Sequence, residues 1–239
     1  MRYSKYLTLP LASLALASTG AQAELNWQNF SVTYLYGTNY QFTPNGEMEV
    51  VTFEHASSHN WGDTFMFIDR KMPDEGKADF YGEFAPRLSL SYLSGSELSL
   101  GPVRDLFLAS MWEMGEGFDN FGAGIGTAWT IPGFRYVNLN LYYMDNETSD
   151  NEWLFNGSWA LPLELASQKF LYDGFIDWSN RTDTNLAEFN WTSQLKWDVG
   201  ANFGLKSPLY LGAEFAYWNN KYGTNINERV ASALVKWHF

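Results

Sequence analysis

What most constrains this 239-residue chain is a repeated pattern: segments of about ten residues in which apolar and polar side chains alternate, separated by stretches rich in turn-forming residues. Period-two alternation sends successive side chains to opposite faces of a β-strand. Twelve segments follow one another, near 27–36, 47–55, 61–69, 79–90, 103–113, 120–130, 134–144, 152–162, 169–178, 187–199, 208–218 and 229–239. The tenth is the clearest. Ala187, Phe189, Trp191, Leu195, Trp197 and Val199 share one face, and Glu188, Asn190, Thr192, Gln194, Lys196 and Asp198 share the other. An even number of such strands predicts an all-β fold, a transmembrane antiparallel up-and-down β-barrel of about twelve strands.

Composition separates this reading from a soluble sandwich. Phe, Tyr and Trp make up 18% of the residues, more than one soluble core of this size buries, while the mean hydropathy is mildly polar. Aromatic girdles outside and polar residues inside produce that combination. Arg2 and Lys5, the apolar run Leu7 to Leu16 and the small-residue pattern Ala21-Gln22-Ala23 read as a cleaved signal peptide, residues 1–23, with the barrel over 24–239. The apolar run is too short to cross about 30 Å of hydrocarbon as a helix. Loss of Arg2 and Lys5 takes the formal charge from −12 to −14, which argues against nucleic acid as a partner. The chain has no cysteine, so thiol chemistry and disulfides are excluded.

The final segment places Ala231, Ala233, Val235, Trp237 and Phe239 on one face, the form of a last barrel strand. Trp237 and Phe239 are the expected signal for the barrel-assembly machinery. The stretches near 37–46, 70–79, 114–119, 145–151, 179–186 and 219–227 are expected outside the cell, among lipopolysaccharide. Connections 91–101 and 199–207 are longer than minimal periplasmic turns.

Function is expected in the lumen. Twelve strands enclose more space than side chains fill in an eight-stranded barrel, and less than a porin channel. The inward faces offer Tyr81, Glu83, Arg87, Asp105, Phe107, Glu113, Tyr142, Asp173, Phe175, Asp177, Glu188, Lys196, Tyr210, Glu214 and Trp218. Rings stack on flat heterocycles or sugar faces, and carboxylates accept hydrogen bonds from hydroxyls. Glu83 and Arg87, four residues apart on one face, are expected to be neighbours, with Asp105 within reach across the pair. Gly122, Gly124 and Gly126 face in, widening the lumen or admitting a bulky neighbour. An enzyme is disfavoured: the histidines are His55, His59 and His238, and Ser57 and Ser58 beside His55 form no nucleophile-elbow motif. The acidic groups Asp69, Asp74 and Glu75, and Asp145, Glu147, Asp150 and Glu152, lack the spacing of a calcium loop. No metal or cofactor is expected.

One stretch is recognisable. Phe80 to Leu90, containing Glu83, Pro86 and Arg87, followed by Leu93 to Val103, containing Gly101 and Pro102, resembles the segment E-x-x-P-R-x-S…L-S-x-G-P of the nucleoside-specific channel-forming outer-membrane proteins, the Tsx-type family. It is especially similar to the OmpK branch, known as phage receptors in marine bacteria. The close match covers roughly residues 80–115. The resemblance implies a monomeric twelve-stranded channel in the Gram-negative outer membrane that passes small solutes, nucleosides foremost, by diffusion. The alternative is a receptor or structural barrel with a closed lumen whose loops bind partners such as phage.

Overall fold

Alternation along each segment becomes a ladder that closes on itself. A computed structural model describes residues 23–239, so the expected leader lies almost wholly outside the described residues. Twelve strands follow in order: β1 (Leu25–Thr38), β2 (Glu47–His59), β3 (Gly62–Pro73), β4 (Asp79–Ser89), β5 (Val103–Gly115), β6 (Phe118–Trp129), β7 (Tyr136–Asp145), β8 (Glu152–Leu165), β9 (Gln168–Ser179), β10 (Glu188–Asp198), β11 (Leu209–Asn219) and β12 (Glu228–His238). Each pairs antiparallel with its neighbours in sequence, and β12 returns to β1. The seam runs from Ser31 opposite His238 to Thr38 opposite Ala231. The Phe239 amide continues it, donating to the Phe30 carbonyl at 3.0 Å. Closure leaves no unpaired edge, the condition for a sheet to stand in hydrocarbon.

The outward faces carry the two aromatic belts that composition predicts. Towards one rim stand Tyr36, Phe80, Trp112, Phe121, Tyr143, Trp153 and Trp178; towards the rim of the chain termini stand Phe30, Trp197, Trp237 and Phe239, all exposed on the outer wall. Between them lie Phe53, Ile68, Leu108, Ile125, Leu195 and Val235. Rings brace each other across strands, as Trp112 does on Phe121 at 5.8 Å and Tyr143 on Trp153 at 5.2 Å.

Strands β2 and β3 are longer than the sequence pattern suggests, because their hairpin is only Asn60 and Trp61. Gly62 makes the tight approach possible: its φ is +150°, and a Cβ there would lie 2.0 Å from the Arg87 carbonyl. The two long connections on the terminal rim are ordered rather than loose. The first contains α1 (Leu90–Ser94), capped by the Ser89 hydroxyl; the second contains α2 (Val199–Asn202), capped by Asp198.

The outward assignment predicts a depth-dependent cost for charge. Leu195→Arg, midway along the lipid face of β10, is expected to lower folding stability in lipid vesicles by about 2–4 kcal/mol. Lys169→Ala at the rim is expected to leave stability almost unchanged. Denaturant titration of the refolded barrel in vesicles measures both.

Candidate functional site

The residues expected in the lumen do point inward: Tyr81, Glu83, Arg87, Asp105, Phe107, Tyr142, Asp173, Phe175, Asp177, Tyr210 and Glu214 share faces with buried or inward-pointing partners in the ladder. Their pairings differ from the expected ones in one important place. Arg87 does not neighbour Glu83. Its guanidinium makes a two-pronged contact with Asp63 of β3, at 2.8 and 2.7 Å. Asp63 lies directly opposite Arg87 in the β3–β4 register, whereas Glu83 lies a full four residues along the same strand. Cross-strand contact wins over same-strand spacing because opposite residues are nearer than i, i+4 residues of a strand. Asp105 is engaged elsewhere too, accepting from the hydroxyls of Ser89 and Ser91 at 2.6 Å each.

From Arg87 a polar relay crosses the wall. Arg87 donates to Asn140 at 3.2 Å, Asn140 to Asn156 at 3.0 Å, and Asn156 to Asp177 at 2.7 Å. Strands β5 and β6 stand between β4 and β7, so the guanidinium must reach over them. It does so across Phe107, whose ring centroid is 4.4 Å away, and over Gly126. A Cβ at Gly126 would sit 2.4 Å from the Asn140 side-chain oxygen and 3.5 Å from Arg87 Cδ. Gly122 likewise leaves room for Met144, whose sulfur would be 2.4 Å from an added Cβ. Gly122 and Gly126 therefore admit neighbouring side chains, whereas an added Cβ at Gly124 would meet the Leu141 carbonyl at 1.8 Å.

A second network lines the opposite wall. Lys196 donates to Asp173 at 2.7 Å and to Gln194 at 2.8 Å, and Gln194 donates to Glu214 at 2.7 Å. Lys236 pairs with Glu54, across the β12–β1–β2 seam. Three apolar clusters fill the remaining wall: Ala109, Met111, Tyr142 and Met144; Leu35, Val50 and Leu234; Ala160, Leu171 and Tyr210. Towards the rim away from the termini the balance turns acidic. Glu83 faces Glu113 across the β4–β5 ladder, and Tyr81 donates to Glu83 at 2.6 Å.

The mouth at that rim is built by two connections that sequence analysis treated only as loops. Residues 39–46 fold inward: Tyr40 meets Ser232 at 3.2 Å and the Gln41 amide donates to Glu228 at 2.7 Å. Burial pushes the Tyr40 hydroxyl up to about 12. The 3-10 turn Lys221–Gly223 approaches from the other side, with Lys221 paired to Glu228. Burial draws the Lys221 ammonium down, while Glu228 opposes that shift. Tyr222 holds a left-handed φ of 58°, which aims its ring at Phe42 (5.0 Å) and Trp218 (5.9 Å). Of these three rings only Trp218 was among the expected lumen residues. Phe42 and Tyr222 escaped because loop residues carry no face in an alternation pattern.

Of the serines and histidines weighed for catalysis, His55 and Ser57 turn to the outer face, whereas Ser58, opposite Asp63, and His238, opposite Ser31, turn inward and meet Asn26 and Asn29 respectively. His55 packs on Phe30 of the outer wall at 4.3 Å. Ser57 contacts His59 at 3.0 Å, on a hydroxyl shared with Thr64 at 2.7 Å. Loop carboxylates serve as loop braces, Asp74 accepting from Asn45 and Asp150 from Thr184. Among the described residues no three His, Asp or Glu side chains are grouped to hold a metal ion.

Comparison with known proteins places these features in context. The family model described as nucleoside-specific channel-forming protein, Tsx, matches residues 22–237. The chain is 32% identical over 168 residues to an outer membrane protein OmpK of Vibrio parahaemolyticus, a match spanning 65% of this chain and 64% of that protein. A second OmpK, 31% identical, is matched over half its length. The nucleoside-specific channel-forming protein Tsx of Salmonella typhimurium is 24% identical over 76% of each chain. Among solved structures, the NanC porin superposes with a TM-score of 0.57 at 9% identity, over 87% of this chain and 98% of its own. The KdgM porin gives 0.54, over 87% and 99%. At such identity these structures share the fold alone.

The Arg87–Asp63 pair yields a stability test. Asp63→Ala strands a guanidinium whose side chain is only 7% exposed, and is expected to cost about 3 kcal/mol. The double variant Asp63→Ala with Arg87→Met is expected to recover most of that loss. A double-mutant cycle in denaturant reads the difference.

Proposed function

The chain belongs to the nucleoside-specific channel-forming family and is an outer-membrane β-barrel, and on that premise we propose that it is a passive channel for small, largely neutral solutes, nucleosides foremost. The observation that carries this reading is interior room. Glu54, Asp69, Glu83, Glu113, Phe175, Asp177 and Glu214 all point inward yet stay partly exposed, which requires open space beside them in a closed barrel. The three apolar clusters and the two polar networks narrow that space to a slot.

A nucleoside offers a flat ring and a hydroxylated sugar. Phe42, Tyr222 and Trp218 at the mouth supply stacking faces, and the inward carboxylates supply acceptors for hydroxyls. Each contact is weak, so a solute exchanges hydration for one site after another and is released. The acidic excess near the mouth disfavours phosphorylated solutes by like-charge repulsion. No covalent step is involved. A single chain closes its own sheet, which supports a monomer, and Trp237 with Phe239 at the end of β12 supports recognition by the barrel-assembly machinery.

Planar-bilayer recordings of the refolded barrel test the proposal. Small channels whose current falls on adding adenosine or uridine are expected. Tyr222→Ala and Phe42→Ala are each expected to raise the half-blocking concentration about tenfold, the loss of one base–ring stack. Current indifferent to nucleosides would remove the nucleoside assignment, and a silent bilayer would favour a barrel that acts through its loops.

A further inference from the structure

The second long connection on the terminal rim has an orientation that the channel does not use. After the Asp198 cap on the Ala201 amide (3.1 Å), the Phe203 and Leu205 amides both return to the Gly200 carbonyl at 3.0 Å. Gly204, at φ +68°, then reverses the chain. The result leaves Phe203 78% exposed and sets Leu205 beside Trp237 on the lipid-facing side. Leu205, Lys206, Ser207, Leu209 and Trp237 line an open groove of about 410 Å³ there. Its upper end runs onto the lipid-facing side chains Leu211 and Val235, both exposed on the outer wall.

Two features select an occupant. An apolar groove continuous with the lipid-facing wall marks a lipid contact, and the terminal rim of a bacterial barrel lies at the periplasmic, phospholipid leaflet. Lys206 lies at the groove's edge in a strongly acidic protein and forms no ion pair among the described residues. We propose that this groove seats an anionic glycerophospholipid, its acyl chain along Leu205, Leu209 and Trp237 and its phosphate on the Lys206 ammonium and Ser207 hydroxyl. The lipid fastens the β10–β11 connection against the last strand, beside the β12–β1 seam that closes the barrel. The inference rests on the barrel's place in the membrane and not on what passes through it.

Native mass spectrometry of the whole detergent-solubilised barrel, titrated with phosphatidylglycerol or phosphatidylethanolamine of equal chain length, tests it. Phosphatidylglycerol adducts are expected to persist at higher collision energy than phosphatidylethanolamine adducts. Lys206→Gln is expected to weaken phosphatidylglycerol binding about fivefold and leave phosphatidylethanolamine unchanged. Lys206→Arg is expected to restore the preference. Lys169→Gln, an exposed cation on the same rim outside the groove, serves as control, and the heat-modifiable electrophoretic shift confirms that each variant is folded. Equal retention of the two lipids by the unaltered protein, or an undiminished preference in folded Lys206→Gln, overturns the proposal.

Discussion

Everything in this molecule depends on the pairing of backbone amides and carbonyls where no water can serve them. An unpaired group in hydrocarbon costs several kcal/mol, so the sheet must close, and the seam between β12 and β1 is where it does so. Once that seam forms, the faces are fixed by parity along every strand. One alternate set of side chains meets lipid, and the other meets the interior, with no freedom to exchange. The aromatic belts and the ionic lumen are two results of that single constraint.

The interior then poses its own problem, because charge in a confined and partly dry space needs a partner. Arg87, Lys196 and Lys236 each meet a carboxylate, Asp63, Asp173 and Glu54 respectively. These pairs stand on opposite walls and are extended by amide side chains into networks that stiffen the slot. Carboxylates in excess of the cations, Glu83 and Glu113 among them, gather towards the mouth. The lumen is thus rigid where charges cancel and polar where they do not, an arrangement suited to weak, successive contacts with an uncharged solute.

Much of the fold was legible in the sequence because period-two alternation reports a side chain's face directly. The strand number, the outward rings and the inward direction of Arg87 and Asp177 all followed from it. Contacts between strands along the inner wall were not legible. Asp63 begins the irregular third segment, where alternation is weak, and its place opposite Arg87 depends on a two-residue hairpin made possible by Gly62. The relay to Asn140 depends on the absence of a side chain at Gly126, a spatial fact that sequence spacing does not express. The mouth was hidden for another reason. Tyr222 reaches Phe42 and Trp218 through a left-handed backbone that a bulky residue rarely adopts, so no propensity rule points to it.

We propose that a closed barrel with a narrow slot for uncharged solutes conducts nucleosides by diffusion. Liposome swelling addresses it most directly, with the refolded barrel in vesicles and isosmotic uridine compared against a disaccharide of larger cross-section. Rapid swelling is expected in uridine and slow swelling in the disaccharide. Equal rates for the two solutes, or no swelling beyond protein-free vesicles in uridine, would contradict it.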